Sequence, residues 1–173
     1  MLNRLASDTN PNLFVLSYNS SDFFVTNFFI IPKRFFVPEI IEKRKPLAPT
    51  ARRANWVGCN ILLSGIPQTG KIFLVRNGRV EPRDRALATW RKTLFLRDEK
   101  DISAKGWLLD IMRCIESLGK PNFKLDEVYA FEAELRTLHP ENKHIKDKIR
   151  QQLQVLRDKG YLDFMSRGHY RLA

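Results

Sequence analysis

The chain has 173 residues, 43% hydrophobic and 28% charged, which supplies the core of one full domain or two small ones and excludes a disordered chain. Thirty Lys and Arg against 19 Asp and Glu leave a net charge of +11, a balance that points to nucleic acid or an anionic membrane as partner. Two cysteines, Cys59 and Cys114, are too few for a disulfide scaffold or a four-cysteine zinc site, no apolar run reaches membrane-span length, and the first ten residues lack a signal peptide's apolar centre.

In chain order, Leu13–Tyr18 and Phe23–Ile31 are apolar, β-prone runs separated by the turn formers Asn19-Ser20-Ser21-Asp22, and they predict a buried antiparallel hairpin. So hydrophobic an opening needs neighbours for both faces of its sheet, and an incomplete first domain is the expectation. Pro38–Lys43 predicts one or two helical turns with Pro at the first position.

The stretch KRKPLAPTARRANWVGCNI, Lys43–Ile61, follows. Lys43, Arg44 and Lys45 form one basic cluster and Arg52 and Arg53 a second, with Pro46 and Pro49 between them and Trp56 directly after. The prolines rule out a helix interior. Clustered guanidinium and ammonium groups beside a large aromatic suit a polyanion that carries flat bases. A solvated basic loop beside a core tryptophan is the competing reading.

Ile61–Leu63 predicts a short strand, Lys71–Arg76 a better one closed by a turn at Asn77-Gly78, and Arg83–Leu96 a helix with Leu87, Trp90 and Leu94 on one face. Two motifs here imitate catalytic machinery. Gly65-Ile66-Pro67-Gln68-Thr69-Gly70-Lys71 resembles a phosphate-binding loop, but Ile72 stands where a hydroxyl is required and a strand follows, so a proline-containing turn is the expectation. Asp84 with Asp98-Glu99-Lys100 imitates a nuclease metal site, but a predicted helix separates the groups, and solvated charges are expected.

The character of the chain changes near Ser103, with 17 basic against 9 acidic residues before it and 13 against 10 from it onward. A boundary at 97–102 divides the chain into residues 1–102 and 103–173. Ser103 is the expected cap of a helix reaching Leu118, with Trp107, Leu108, Ile111, Met112 and Ile115 inward and Gly119 and Pro121 ending it. A second helix is expected from Asp126 to Leu138, and a third from an Asn142 cap to Lys159 with Ile145, Ile149, Leu153 and Leu156 inward. Tyr161–Met165 and His169–Leu172 then predict a hairpin turning at Ser166-Arg167-Gly168.

Three helices and a basic hairpin predict a winged helix-turn-helix domain, whose third helix would enter the major groove. The exposed side of that helix would carry Lys143, His144, Asp147, Arg150, Gln151 and Gln154. Lys146 and Lys148 flank it and suit phosphates, while Arg150, Gln151 and Gln154 have donors and acceptors for base edges. Arg167 at the hairpin turn would reach the backbone. Winged helices also pair with proteins; the chain's charge favours DNA. His139, His144 and His169 have no metal-ligand spacing with one another, so no metal is assigned.

Lys43–Ile61, together with GKIFLVRNG at Gly70–Gly78 and HIKDKIRQQLQVLRDKG at His144–Gly160, closely resembles the DpnI-like restriction endonucleases, also called the Dam-replacing family. The similarity runs through nearly the whole chain in the same order. It implies an α+β fold in which 1–102 is the C-terminal portion of a PD-(D/E)xK-type endonuclease domain and 103–173 a winged helix. It also implies cleavage of double-stranded GATC whose adenine is N6-methylated, in a bacterial cytoplasm, by a protein expected to be monomeric. The family uses Mg²⁺ and a structural zinc, but its metal-binding carboxylates, catalytic lysine and Cys-x-x-Cys pairs lie upstream of the region where this chain starts. No catalytic, metal or zinc residue is therefore carried over, and the expectation is a truncated chain that binds methylated GATC without cutting it. A non-catalytic winged-helix transcriptional regulator is the alternative function class.

Overall fold

The computed structural model describes residues 11–173, so the reading of the first ten residues lies outside it. The architecture is mixed α/β. Strands β1 (Leu13–Tyr18) and β2 (Val25–Ile31) form the expected hairpin, and β2 also pairs with β5 (Ile72–Arg76), which pairs with β6 (Arg79–Val80). The result is one antiparallel sheet in the order β1-β2-β5-β6. Asn77 (φ 50°) and Gly78 (φ 75°) make the two-residue turn between β5 and β6. A side chain at Gly78 would also lie 2.6 Å from the Phe24 ring, so both conformation and space select glycine.

Among the described residues the two faces of this sheet are unequally covered, which corrects the expectation of a buried hairpin. Phe29 and Ile31 face the core, with Leu13, Val15 and Phe73 of the same face packed against it, whereas Phe14, Leu16 and Tyr18 alternate onto the other side and are more than half exposed. Phe14 stacks on Phe28 and Tyr18 on Phe23, each pair at 6.2 Å between ring centroids. Strand periodicity places successive side chains on opposite faces, so an apolar run buries fully only when both faces have neighbours.

After β2 come 3₁₀ turns at Lys33–Phe35 and Pro38–Ile40, the second in place of the longer helix allowed there. A separate hairpin follows, β3 (Ile41–Lys43) against β4 (Cys59–Ile61), so the short strand lies two residues before its predicted position. Helix α1 (Arg83–Lys92) continues as a 3₁₀ turn at Leu94–Arg97. Arg34, almost wholly buried, fastens this unit to the sheet by donating to the Trp90 carbonyl (2.7 Å) and the Thr93 hydroxyl (2.9 Å).

Helix α2 (Ile102–Ser117) is the centre of the molecule. Its cap is Asp101, whose carboxylate accepts from the Ser103 and Ala104 N–H groups, so the helix begins one residue before the expected Ser103 cap. Leu109 and Cys114 are buried along with the predicted inward row, because α2 has the first half of the chain on one side and the C-terminal helices on the other.

Strand β7 (Asn122–Lys124) leads into α3 (Leu125–Tyr129) and α4 (Glu132–Leu138), which replace the single helix expected from Asp126. Phe131 N–H bonds the Val128 carbonyl at 3.1 Å, an i→i+3 tightening that interrupts the α-helical ladder. Residues two apart on an unbroken helix point to opposite sides; the interruption lets Tyr129 and Phe131 both pack against the core.

Helix α5 (Ile145–Asp158) buries Ile145, Ile149, Leu153 and Leu156 as expected, with Gln152 beside them. Its cap position is His144 and not Asn142, whose side chain instead accepts from the His144 N–H at 2.8 Å in the preceding turn. Strands β8 (Leu162–Ser166) and β9 (His169–Leu172) form the C-terminal hairpin, and β7 adds a third strand in the order β7-β9-β8. One continuous apolar core runs from Phe29 and Ile31 through α2 to Leu153, Leu156 and Tyr161. Among the described residues no helix is long and apolar enough to cross a membrane.

Candidate nucleic-acid interface

The basic stretch is an ordered arm. Past the β3–β4 ladder, the Arg44 N–H donates to the Gly58 carbonyl (3.0 Å), Leu47 to Trp56 (2.9 Å) and Asn55 to Leu47 (3.2 Å). Pro46 and Pro49 have no N–H and stop a regular ladder, while the Leu47 N–H between them keeps the two sides of the arm together. Arg52 and Arg53 lie in the turn that closes it, which Asn55 completes in the left-handed region (φ 63°).

Trp56 is 52% exposed on this arm and contributes nothing to the core, which removes the core-tryptophan alternative. A side chain at Gly58 would meet the indole at 2.8 Å, so the ring lies directly over the glycine. Arg44 Cδ is 3.7 Å from the same point, which places that guanidinium's stem beside the ring. Lys43, Arg44, Lys45, Arg52 and Arg53 are all exposed, and none makes an ion pair among the described residues. The arm is thus an aromatic plate among uncompensated cations.

The predicted outward face is exposed, Lys143 and His144 just before the helix and then Asp147, Arg150, Gln151 and Gln154; flanking Lys146 is exposed too, as are Arg157 and Asp158 in the last turn. Lys148 is less open; it donates to Gln151 Oε1 at 2.9 Å and lies 5.8 Å from the Trp107 ring centroid. Lys146 pairs with Glu132 at 3.5 Å, and Arg150 with Asp147 at 3.3 Å. Arg167 stands exposed at the β8–β9 turn, where Gly168 has φ 72°.

The turn entering α5 is held by His139, which stacks on Trp107 at 3.7 Å and bonds Asp110 Oδ2 at 2.8 Å. Burial pushes the Asp110 carboxyl above its usual range against the opposing pull of His139 and Arg113. Periodicity marked Trp107 as inward but gave no sign of the His139–Asp110 bond, because the partners come from different helices.

The loop resembling a phosphate cradle does hold an anion, from within the chain. Glu116 on α2 accepts from the Gln68 N–H, the Thr69 N–H (3.0 Å), the Thr69 hydroxyl (2.7 Å) and the Tyr161 hydroxyl (3.3 Å). Burial first, and Glu116 second, push the Tyr161 hydroxyl pKa upward. Asp84 sits in the first turn of α1, and Asp98, Glu99 and Lys100 follow the 3₁₀ turn after it, so no adjacent strands present these groups together. Among the described residues no cluster of three or more His, Cys, Asp or Glu could hold a metal ion.

These features define a helical unit with a C-terminal hairpin, packed against a sheet-containing body that carries a basic aromatic arm. The sequence matches the Dam-replacing family over residues 1–99 and the Dam-replacing HTH domain over residues 103–172. The chain belongs to the Dam-replacing family.

Proposed function

We propose that this chain is the DNA-recognition part of a methyl-directed type II restriction endonuclease that recognises N6-methyladenine in GATC. Residues 1–102 then belong to a PD-(D/E)xK-type domain and residues 103–173 to a winged helix, and the chain binds as a monomer without cutting. The observation that carries this reading is Trp56, an exposed indole backed by Gly58 on an arm whose five cations make no ion pair among the described residues.

N6-methyladenine keeps one N–H donor and its N7 acceptor and adds an apolar group in the major groove. An exposed indole offers that group a surface, while Lys43, Arg44, Lys45, Arg52 and Arg53 take phosphates. Lys143, His144, Lys146, Lys148, Arg150, Gln151 and Gln154 supply the second reading surface, and Arg167 holds the adjacent backbone. Burying one methyl contributes about 0.8 kcal/mol, roughly fourfold in affinity, so strong discrimination requires both methyls of the palindrome or both surfaces.

Titrating wild type and Trp56→Ala against methylated and unmethylated GATC duplexes tests the reading. A wild-type preference of severalfold that collapses toward unity in the variant is the expected result; an unchanged ratio would sink the role of Trp56. Mg²⁺-dependent cleavage of methylated plasmid by the purified chain would overturn the proposal of binding without cutting. A sequence-specific preference indifferent to methylation would favour a transcriptional regulator.

A further inference from the structure

Tyr129, the last residue of α3, stands against the exposed face of α5 without belonging to it. Its hydroxyl accepts from Arg150 Nε. Its ring centroid lies 5.5 Å from the Arg150 guanidinium carbon and 5.4 Å from Lys146 Nζ. Lys146 and Arg150 are one helical turn apart, so their like charges repel. The ring and the phenolic oxygen offset that repulsion, as do Glu132, paired with Lys146, and Asp147, paired with Arg150.

The hydrogen bond also sets which edge of the guanidinium is offered outward. A free arginine presents either its Nε–Nη edge or its two terminal nitrogens to a planar acceptor. With Nε held by Tyr129, the terminal nitrogens remain, and the contact from Nη1 to Asp147 is a long 3.3 Å to a carboxylate that is itself 70% exposed. Such a contact is readily exchanged for a base. The O6 and N7 acceptors of guanine accept a guanidinium in this end-on approach.

We infer that Tyr129 is a positioning residue for base readout, fixing Arg150 so that its terminal nitrogens face the major groove, with guanine as the base it suits. This rests on the reading that α5 contacts DNA. Four versions of the full chain test it: wild type, Tyr129→Phe, Arg150→Ala and the double variant. Each is titrated against a methylated GATC duplex and its single-base variants, with the thermal midpoint as a control. Tyr129→Phe keeps the packed ring and loses only the acceptor, so the midpoint should be nearly unchanged. Affinity should fall about threefold to tenfold, the net worth of an ordinary hydrogen bond at an exposed site, and preference should flatten at the base pair where Arg150→Ala flattens it. In the Arg150→Ala background the same change should do nothing. An equal loss in both backgrounds, or no loss in the wild-type background, would overturn the positioning role and leave α5 as a reading surface. An Arg150→Ala variant that binds every duplex as wild type does would overturn both.

Discussion

The two cysteines differ by one physical variable, access. Cys114 is 2% exposed within α2, and burial pushes its thiol up to about 12, so almost none is thiolate at neutral pH. Cys59 is exposed on β4, opposite Lys43 at the root of the basic arm. Native-state alkylation followed by mass spectrometry should therefore modify Cys59 alone, and denaturant should release the second site. Because Cys59 shares the arm with Trp56 and the basic clusters, saturating duplex DNA should slow its modification severalfold. Equal rates with and without DNA would mean that the arm stays clear of the duplex. The Trp56 environment was only half legible in the sequence: aromatic plus basic clusters signalled a polyanion surface, but not the seat of the ring over Gly58, where an added Cβ would lie 2.8 Å from it. That contact arises from chain reversal, which residue types alone do not report.

At the level of elements, Glu116 joins α2 to the loop before β5 through two backbone N–H groups and the Thr69 hydroxyl, and to Tyr161 through its hydroxyl. Hydrogen bonds to a charged group contribute about 1.5–3 kcal/mol, and unpartnered N–H groups add a desolvation cost when the carboxylate is removed. Glu116→Ala should thus lower unfolding free energy by about 2–3 kcal/mol in a urea titration, with Glu116→Gln losing less because its carbonyl still accepts. A change below the fitting error would show that water satisfies the loop equally well. The same loop shows why some elements were legible and others were not. Its glycines and lysine suggested phosphate chemistry; the anion proved to be a carboxylate 47 and 48 residues along the chain from Thr69 and Gln68, a partner that no local pattern names. Helices α2 and α5 were read correctly because their apolar rows repeat over several turns. Strand β7 is three residues long, too short for a periodic signal, and exists through its pairing with β9. The break at Phe131 was equally hidden, since it serves packing and not local propensity.

For the molecule as a whole, the change in sequence character near Ser103 marks a shift from strands to helices while apolar packing runs straight through it. Helix α2 buries Leu109 and Cys114 as well as Ile111 and Ile115, and Lys92 on α1 donates to the Ala173 main-chain oxygen from across the junction. Fluorescence and far-UV circular dichroism should accordingly report coincident urea transitions; two separated transitions would contradict a shared core. The shared core also bears on binding. If one duplex reaches both the arm and α5, their phosphate contacts add in a single equilibrium. Each neutralised phosphate contributes about −0.9 to the slope of log K against log salt. Replacing Arg52 and Arg53 with Ala should flatten that slope by roughly two if each holds one phosphate, with little effect on sequence preference. Replacing Gln151 and Gln154 should do the reverse, weakening preference while leaving the slope close to wild type. If the arginine pair alters preference and the glutamine pair alters the slope, the assignment of phosphate contacts to the arm and base contacts to α5 is inverted.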